Sequence, residues 1–187
     1  MTFIGKSIII RKTRKSDIGR LAEILLYAFQ TVYANKISDE ALRESVSMQM
    51  ENYKTRKFNT NGSIHYVATH ENKVVAFVIG KAAEASKLEH YKTRGYAELM
   101  SISIAPEYQR KGVGEMLFDF IVKKFKELGY TKMVIGTNKD NLPARRAYEK
   151  WGCVLDTEYE KPFETCGHTF TEVFYIYDLT KERLFGS

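Results

Sequence analysis

The sequence predicts an α/β domain built on a mixed β-sheet. Two observations carry this. The hydrophobic period alternates between strand and helix spacing along the chain, and two strand-like runs, Ile64–Thr69 and Lys73–Lys81, meet at His70-Glu71-Asn72 as a hairpin would. Length agrees: 187 residues suit a single core of roughly 100–200 residues, so 1–187 is expected to be one domain.

Each element follows from a local pattern. Ser7–Lys12 holds three consecutive isoleucines and reads as a strand. Ser16-Asp17 offers a helix start ahead of Ile18, Leu21, Ile24, Leu25, Ala28 and Phe29, which share one helical face. Ser38-Asp39-Glu40 begins a second helix through Leu42, Val46 and Met50. Glu51–Ser63 is polar, contains Asn61-Gly62 and is expected to be a loop. After the hairpin, Ala82–Gly95 is charged and reads as a surface loop or short helical insert. Tyr96–Ala105 is apolar and β-branched, a buried strand that Pro106 ends. The period then changes: Val113, Met116, Leu117, Phe120, Ile121, Phe125 and Leu128 occupy one helical face, closed by Gly129. Lys132–Thr137 is a strand. Asn141 caps a short helix that turns Ala144, Ala147, Tyr148 and Trp151 inward and stops at Gly152. Cys153–Glu158 and Thr171–Leu179 are the final strands, joined by a long loop through Pro162 and Gly167. The order is β-α-α-β-β-β-α-β-α-β-β, about seven strands with four helices.

Composition narrows the function. Twenty-nine Lys and Arg against 23 Asp and Glu give a net charge of +6. That surplus favours an anionic partner: nucleic acid, a membrane surface or a phosphorylated small molecule. Aromatics at 13% exclude a disordered chain. No segment approaches ~18 consecutive apolar residues, and the isoleucines near the N-terminus are too few for a signal peptide. The expected setting is cytoplasmic, away from membranes. Cys153 and Cys166 read as free thiols, and Cys166-Gly-His168 as a turn rather than half of a metal site. No metal is expected.

One motif carries chemistry. Gln109-Arg110-Lys111-Gly112-Val113-Gly114 lies between a strand and a long helix. The first N–H groups of a helix lack internal partners and sit at the positive end of its dipole. Glycines let a phosphate reach that backbone, and Arg110 and Lys111 add charge for the same anion. The segment is suited to a pyrophosphate. It is not a Walker A loop, which needs Gly-Lys-Ser/Thr, nor a dinucleotide fingerprint, whose third glycine is Leu117 here.

Ile104-Ala-Pro-Glu-Tyr-Gln109-Arg-Lys-Gly112-Val-Gly114 resembles motif A of the GNAT (GCN5-related) N-acetyltransferases. Asn141-Leu-Pro-Ala144-Arg-Arg-Ala-Tyr148-Glu-Lys-Trp-Gly152-Cys153 resembles their motif B, with Cys153 where phenylalanine is usual. The resemblance implies a single-domain GNAT fold: a mostly antiparallel sheet whose central parallel pair, Tyr96–Ala105 and Lys132–Thr137, splays to admit acetyl-CoA. It implies that the pantetheine arm pairs with backbone around Ile102, Ser103 and Ile104. The pyrophosphate would rest on Gln109, Arg110, Lys111, Gly112, Val113 and Gly114, and Asn141 would touch the cofactor. The implied reaction is direct attack of an amine on the thioester in a ternary complex.

Such a reaction needs three things. The ammonium must lose a proton before it attacks, the oxyanion needs a donor, and the thiolate needs a proton. Ala97-Glu98-Leu99 matches the step that carries the catalytic carboxylate in the histone-acetylating branch, so Glu98 is the expected base. A carboxyl enclosed by an apolar strand is also a stronger base than a solvated one. Backbone N–H groups near Ser101 or Ile102 would serve the oxyanion. Tyr148 matches the motif B tyrosine that approaches the CoA sulfur and is the expected acid.

The resemblance implies that the acceptor enters opposite CoA, between the first two helices, the segment before the central strand and the last hairpin; here these supply Tyr27, Phe29, Tyr33, Tyr91, Tyr159, Phe163 and Phe170, an aromatic wall suited to a cation. Glu158, Glu160 and Glu164 could add attraction. His65 and His70 read as structural, and His90 has nothing to place it. Lys123-Lys124-Phe125-Lys126 reads as a solvated helix face rather than a nucleic-acid patch. The expected function is acetylation of a small polyamine-, amino-acid- or antibiotic-like amine. The alternatives are a peptide N-terminal acetyltransferase of ribosomal-protein type and a non-catalytic acyl-CoA sensor. The exposed final strand is compatible with a homodimer.

Overall fold

The computed structural model describes residues 7–55 and 62–181, with 52–55 as backbone only. Seven strands and five helices occur among them: β1 (Ile8–Lys12), α1 (Ile18–Tyr33), α2 (Asp39–Thr55), β2 (Ser63–His70), β3 (Lys73–Lys81), α3 (Glu89–Lys92), β4 (Ala97–Ile104), α4 (Val113–Glu127), β5 (Lys132–Asn138), α5 (Leu142–Lys150), β6 (Val154–Thr165) and β7 (His168–Asp178). The strands form one sheet in the order β1-β2-β3-β4-β5-β7-β6. Every neighbouring pair is antiparallel except β4–β5, which is parallel. The expected mixed sheet with one parallel pair is therefore present, with four helices of ordinary length and the short α3 as a fifth.

Two helical layers cover the sheet. On one face α1 and α2 set Leu21, Ile24, Val46 and Met50 against Val67, Phe77 and Ile79. On the other, α4 and α5 bring Leu117, Phe118, Ile121, Phe125 and Tyr148 against Val78, Leu99, Ile135 and Tyr175. The six buried side chains of α4, at about 2 kcal/mol each, contribute on the order of 10 kcal/mol before ordering costs. Gly80 makes this seat close: a Cβ there would stand 2.7 Å from Phe125 and 2.9 Å from Ile121.

Four expectations change. The buried face of α4 is rotated: Phe118 and Val122 are inside, and Leu128 is 58% exposed. The reason is lateral, since Phe118 also meets Trp151 at 4.9 Å beyond α5. Helix α2 continues through Glu51 to Thr55 because no breaker precedes Asn61; residues 56–61 of the expected loop lie outside the described ones. The expected long loop from Glu158 to Thr171 is instead a paired hairpin, with Thr165 opposite His168 and a turn through Cys166 (φ 49°) and Gly167 (φ 73°). Pro162 is tolerated because β6 is the edge strand, where a missing N–H need not break a ladder. Finally, Asp17 does not cap α1 with its side chain; its carboxylate turns back to the Arg11 guanidinium (2.8 Å to each oxygen) and the Arg14 N–H (2.7 Å).

One irregularity shapes the centre. Ile79 pairs with Ser101, yet Gly80 pairs with Leu99, so Met100 is an extra residue in β4. The parallel ladder with β5 spans Ala97 to Leu99 and stops at this bulge. Bulges bend a strand and end pairing; here β4 and β5 part beyond Leu99.

Candidate active site

The gap between β4 and β5 organises the site. Along Ser101–Ile104, β4 keeps its ladder with β3, Ile102 opposite Val78 and Ile104 opposite Ala76, while its other edge has no strand partner among the described residues. That edge offers backbone donors and acceptors to an extended ligand. Ser103 is buried, and Ile102 and Ile104 pack on the α4 side.

The chain then turns into α4. The Gln109 side-chain amide donates to the Ile104 carbonyl at 3.2 Å and ties the turn to the strand. Backbone φ is left-handed at Arg110 (57°) and Gly112 (84°), a combination that gathers successive N–H groups into an anion-binding hollow. Met116 N–H donates to the Gly112 carbonyl at 3.0 Å, so the N–H groups ahead of it have no carbonyl one turn back. Val113 is buried and could meet a ligand only through its backbone. Gly114 also serves packing. A Cβ would lie 3.2 Å from Ile104 and 3.3 Å from Trp151, so this glycine lets α4 approach β4 and α5. Lys111 lies 5.5 Å from the Tyr108 ring centre, and Tyr108 hydroxyl and His70 Nδ1 are hydrogen-bonded at 3.0 Å. A strand edge, a hollow of N–H groups and two cations fit a nucleotide thioester such as acetyl-CoA.

Glu98 and Val134 are in register, and Val134 belongs to the aromatic cluster of Tyr91 and Phe174 on the face opposite α4. The Glu98 carboxylate is buried. Ser86 hydroxyl donates to its Oε2 at 2.7 Å, and Lys81 Nζ stands 3.8 Å from the same oxygen. Tyr148 lies on the other face, buried against Tyr175 (5.7 Å between ring centres) and Trp151 (5.9 Å). Burial, with Cys153 and Tyr175 adding to it, pushes its hydroxyl well above the usual tyrosine range, so it stays protonated. Asn141 uses its side chain within the fold: Oδ1 accepts from Ala144 N–H at 3.3 Å, capping α5, and Nδ2 donates to Thr137 Oγ1 at 3.3 Å.

The aromatic residues fall into two groups. Tyr33 meets Phe29 at 5.8 Å and Phe170 at 4.9 Å, and Phe170 meets Phe163 at 5.7 Å, so the β6–β7 hairpin rests on the end of α1. Cys166 at its tip donates to the Ala41 carbonyl at 3.4 Å. In the second group Tyr91 and Tyr159 pack on Phe174 at 5.2 and 5.3 Å, and His90 stacks on Tyr159 at 4.0 Å. Tyr27 joins neither and is exposed. Of the three glutamates on β6, Glu160 pairs with Lys139 at 2.9 Å, and Glu158 and Glu164 are exposed.

The acid that stands within this face is one sequence reasoning passed over, Glu172 on β7. Its carboxylate lies over Gly136, where a Cβ would collide with it, and Lys161 approaches at 3.4 Å. Burial raises its carboxyl; Lys161 opposes this and Glu98 adds to it. A glycine inside a strand was the available signal, since it marks a close approach. Asn138, opposite Glu172, is buried; its Oδ1 accepts from Asp140 N–H at 2.9 Å and its side chain meets the Tyr33 hydroxyl. His65 is buried beside the Ser63 hydroxyl (2.7 Å), and Lys124 of the basic run pairs with Glu127 at 2.6 Å. Among the described residues no helix is long and apolar enough to cross a membrane, and no group of three His, Cys, Asp or Glu could hold a metal ion.

Comparison with known proteins agrees with this geometry. Residues 30–153 match the sequence profile of the acetyltransferase (GNAT) family. No curated protein matches. Among solved structures, PaiA N-acetyltransferase from Thermoplasma acidophilum in complex with coenzyme A is 20% identical, with a TM-score of 0.70 over 92% of this chain and 99% of its own. YncA, a putative acetyltransferase from Salmonella typhimurium with acetyl-CoA, is 18% identical, TM-score 0.66, over 95% and 96%. Ribosomal-protein-alanine N-acetyltransferase from Brucella melitensis is 20% identical, TM-score 0.66, over 91% and 99%. At these identities the likeness is one of fold.

Proposed function

The chain belongs to the GNAT family of acetyl-CoA-dependent N-acetyltransferases, and from that premise we propose that it acetylates the primary amine of a small molecule. The observation that carries the choice is the clasp of the β6–β7 hairpin on α1 and α2, through Phe170 on Tyr33 at 4.9 Å and Cys166 on Ala41. We read this clasp as bounding a recess on the acceptor side, which supports a small acceptor over a polypeptide. Glu98 and Glu172, with Lys81 at 3.8 Å and Lys161 at 3.4 Å beside them, are the acids that would receive a protonated amine there.

Acetyl-CoA, when bound, supplies an activated acyl group. The backbone of Ile102–Ile104 would hold the pantetheine arm, and Gln109–Gly114 the pyrophosphate, with Arg110 and Lys111 beside it. On our reading Asn141 orients the start of α5 next to the cofactor. Glu98 takes a proton from the acceptor ammonium, which frees the nitrogen lone pair to form the C–N bond. An N–H from Ser101 or Ile102 donates to the acyl oxygen as charge builds on it. Tyr148 gives its proton to the sulfur as the C–S bond breaks. The second proton lost by nitrogen restores the phenol. Glu98 stands at the paired end of the β4–β5 ladder, just before the gap, and Tyr148 belongs to the core on the α4 side, which supports base and acid approaching one thioester from different directions. Tyr33, Tyr159 and Phe163 would line the recess; Tyr27 is outside it.

Thiol release from acetyl-CoA with spermidine, phenethylamine, L-lysine and an alanyl peptide tests the proposal. A free amine should be preferred to the peptide. Glu98→Gln and Tyr148→Phe should each lower kcat by roughly 100-fold or more without loss of CoA affinity. Preference for the peptide would assign the N-terminal reading instead. CoA binding with no turnover of any acceptor would make the chain a sensor.

A further inference from the structure

We propose that Ser86 is a positioning residue for this reaction, and that the Ala82–Gly95 insert serves to deliver its hydroxyl to Glu98. The inference rests on the reading of Glu98 as the base. Ser86 and Glu98 are both buried, and Ser86 Oγ lies 2.7 Å from Oε2. A hydroxyl can donate or accept, but here its direction is set. Leu88 N–H donates to Ser86 Oγ at 3.1 Å, which occupies a lone pair and turns the hydroxyl hydrogen towards the carboxylate. Lys81 acts on the same oxygen from 3.8 Å. The hydroxyl donor and the ammonium charge thus both lie at Oε2, which leaves Oε1 to receive the proton of the acceptor.

The insert is built to hold that hydroxyl still. Ahead of Ser86, Ala82 N–H donates to the Gly62 carbonyl at 2.6 Å, and Ala83 N–H donates to the Tyr130 hydroxyl at 3.1 Å, which in turn donates to Glu84 at 3.1 Å. Beyond it, the fully buried Tyr91 donates to Asp156 on β6 at 2.9 Å. Ser86 is thus suspended between two anchored points, with its one side-chain donation spent on Glu98.

The test is a double-mutant cycle in the full chain, with kcat and KM measured for acetyl-CoA and the best acceptor of the panel above. Ser86→Ala should lower kcat about tenfold, the worth of one hydrogen bond to a charged group, with the KM for acetyl-CoA unchanged. Ser86→Thr, which keeps the hydroxyl, should recover most of that loss. Adding Ser86→Ala to Glu98→Gln should cost nothing more, because Ser86 acts only through Glu98. An equal further loss in the Glu98→Gln background, or a folded Ser86→Thr as slow as Ser86→Ala, overturns the proposal while the base reading stands. Full activity in Glu98→Gln overturns the base reading, and the role of Ser86 with it. A melting temperature for each variant separates these outcomes from unfolding.

Discussion

Replacing Gly112 by valine tests the anion hollow at the start of α4. Gly112 sits at φ 84°, ψ −8° as the residue before the helix. A β-branched side chain is a genuine outlier there, and holding it costs about 2 kcal/mol. For a domain of this size each ~1 kcal/mol lowers the melting temperature by about 2–4 °C, so the expected fall is roughly 4–8 °C. The chain has two responses. It can keep the left-handed turn, in which case a branched side chain stands in the hollow. It can relax to negative φ, in which case the N–H groups between Gln109 and Gly114 swing away. Either response removes at least one charge-assisted hydrogen bond from a bound pyrophosphate, about 1.5–3 kcal/mol, and raises the Kd for CoA by about 10- to 100-fold. Gly95→Val is the control: φ there is 70° and a Cβ would meet open space, so it carries similar strain away from the hollow. Calorimetric melting and titration with CoA read both quantities. A Gly112→Val chain that melts lower but binds CoA as tightly as the unaltered chain would refute the assignment. So would a Gly95→Val chain that loses CoA affinity to the same degree.

Two further outcomes concern the acids. Burial alone would raise the Asp17 carboxyl, but hydrogen bonds from Arg11 and the Arg14 N–H outweigh it and hold the group below the ordinary aspartate range. Its folded value is depressed, so its contribution is complete above the unfolded-chain value and is lost as pH falls below that value and through the folded one. Asp17→Asn should cost about 2 kcal/mol at neutral pH and flatten the acid side of a plot of urea midpoint against pH; identical acid slopes would contradict this. Glu172→Gln should raise the acceptor KM by about tenfold, one charge-assisted contact, and leave the KM for acetyl-CoA alone. An unchanged acceptor KM would remove Glu172 from the acceptor recess.

What could be foreseen from sequence depended on whether the signal was local. The Gln109–Gly114 turn and the Asn141 cap each announce themselves within one element, and each lies where its pattern places it, whereas the apolar stripe of α4 marked the helix but not the exact face it buries. The β6–β7 hairpin did not announce itself, because Pro162 and Gly167 imitate a loop and only the edge position of β6 makes proline harmless. Tyr91 sits in a charged insert without periodicity, yet it is fully buried. Lys81, Ser86 and Glu98 come from neighbouring elements, but their approach to Glu172 on β7 joins segments distant in sequence, and no pattern within any one of them encodes it. Gly136 was the nearest hint, a gap that takes meaning only once β7 lies beside β5.

The extra residue Met100 has a consequence for side-chain parity. Before it, odd-numbered Ala97 and Leu99 look towards α4; after it, even-numbered Ile102 and Ile104 do. A single inserted residue thus inverts the strand's reading frame at the point where its two ends need different roles. Upstream, an even position can show a carboxylate to the acceptor. Downstream, even positions can pack isoleucine against the α4 side while the strand's margin stays open. Deleting Met100 would restore uniform alternation and force a choice: Glu98 in the core, or Ile102 and Ile104 exposed. The bulge therefore cannot slide along β4, because the alternation on each side of it is legible only with the break where it is.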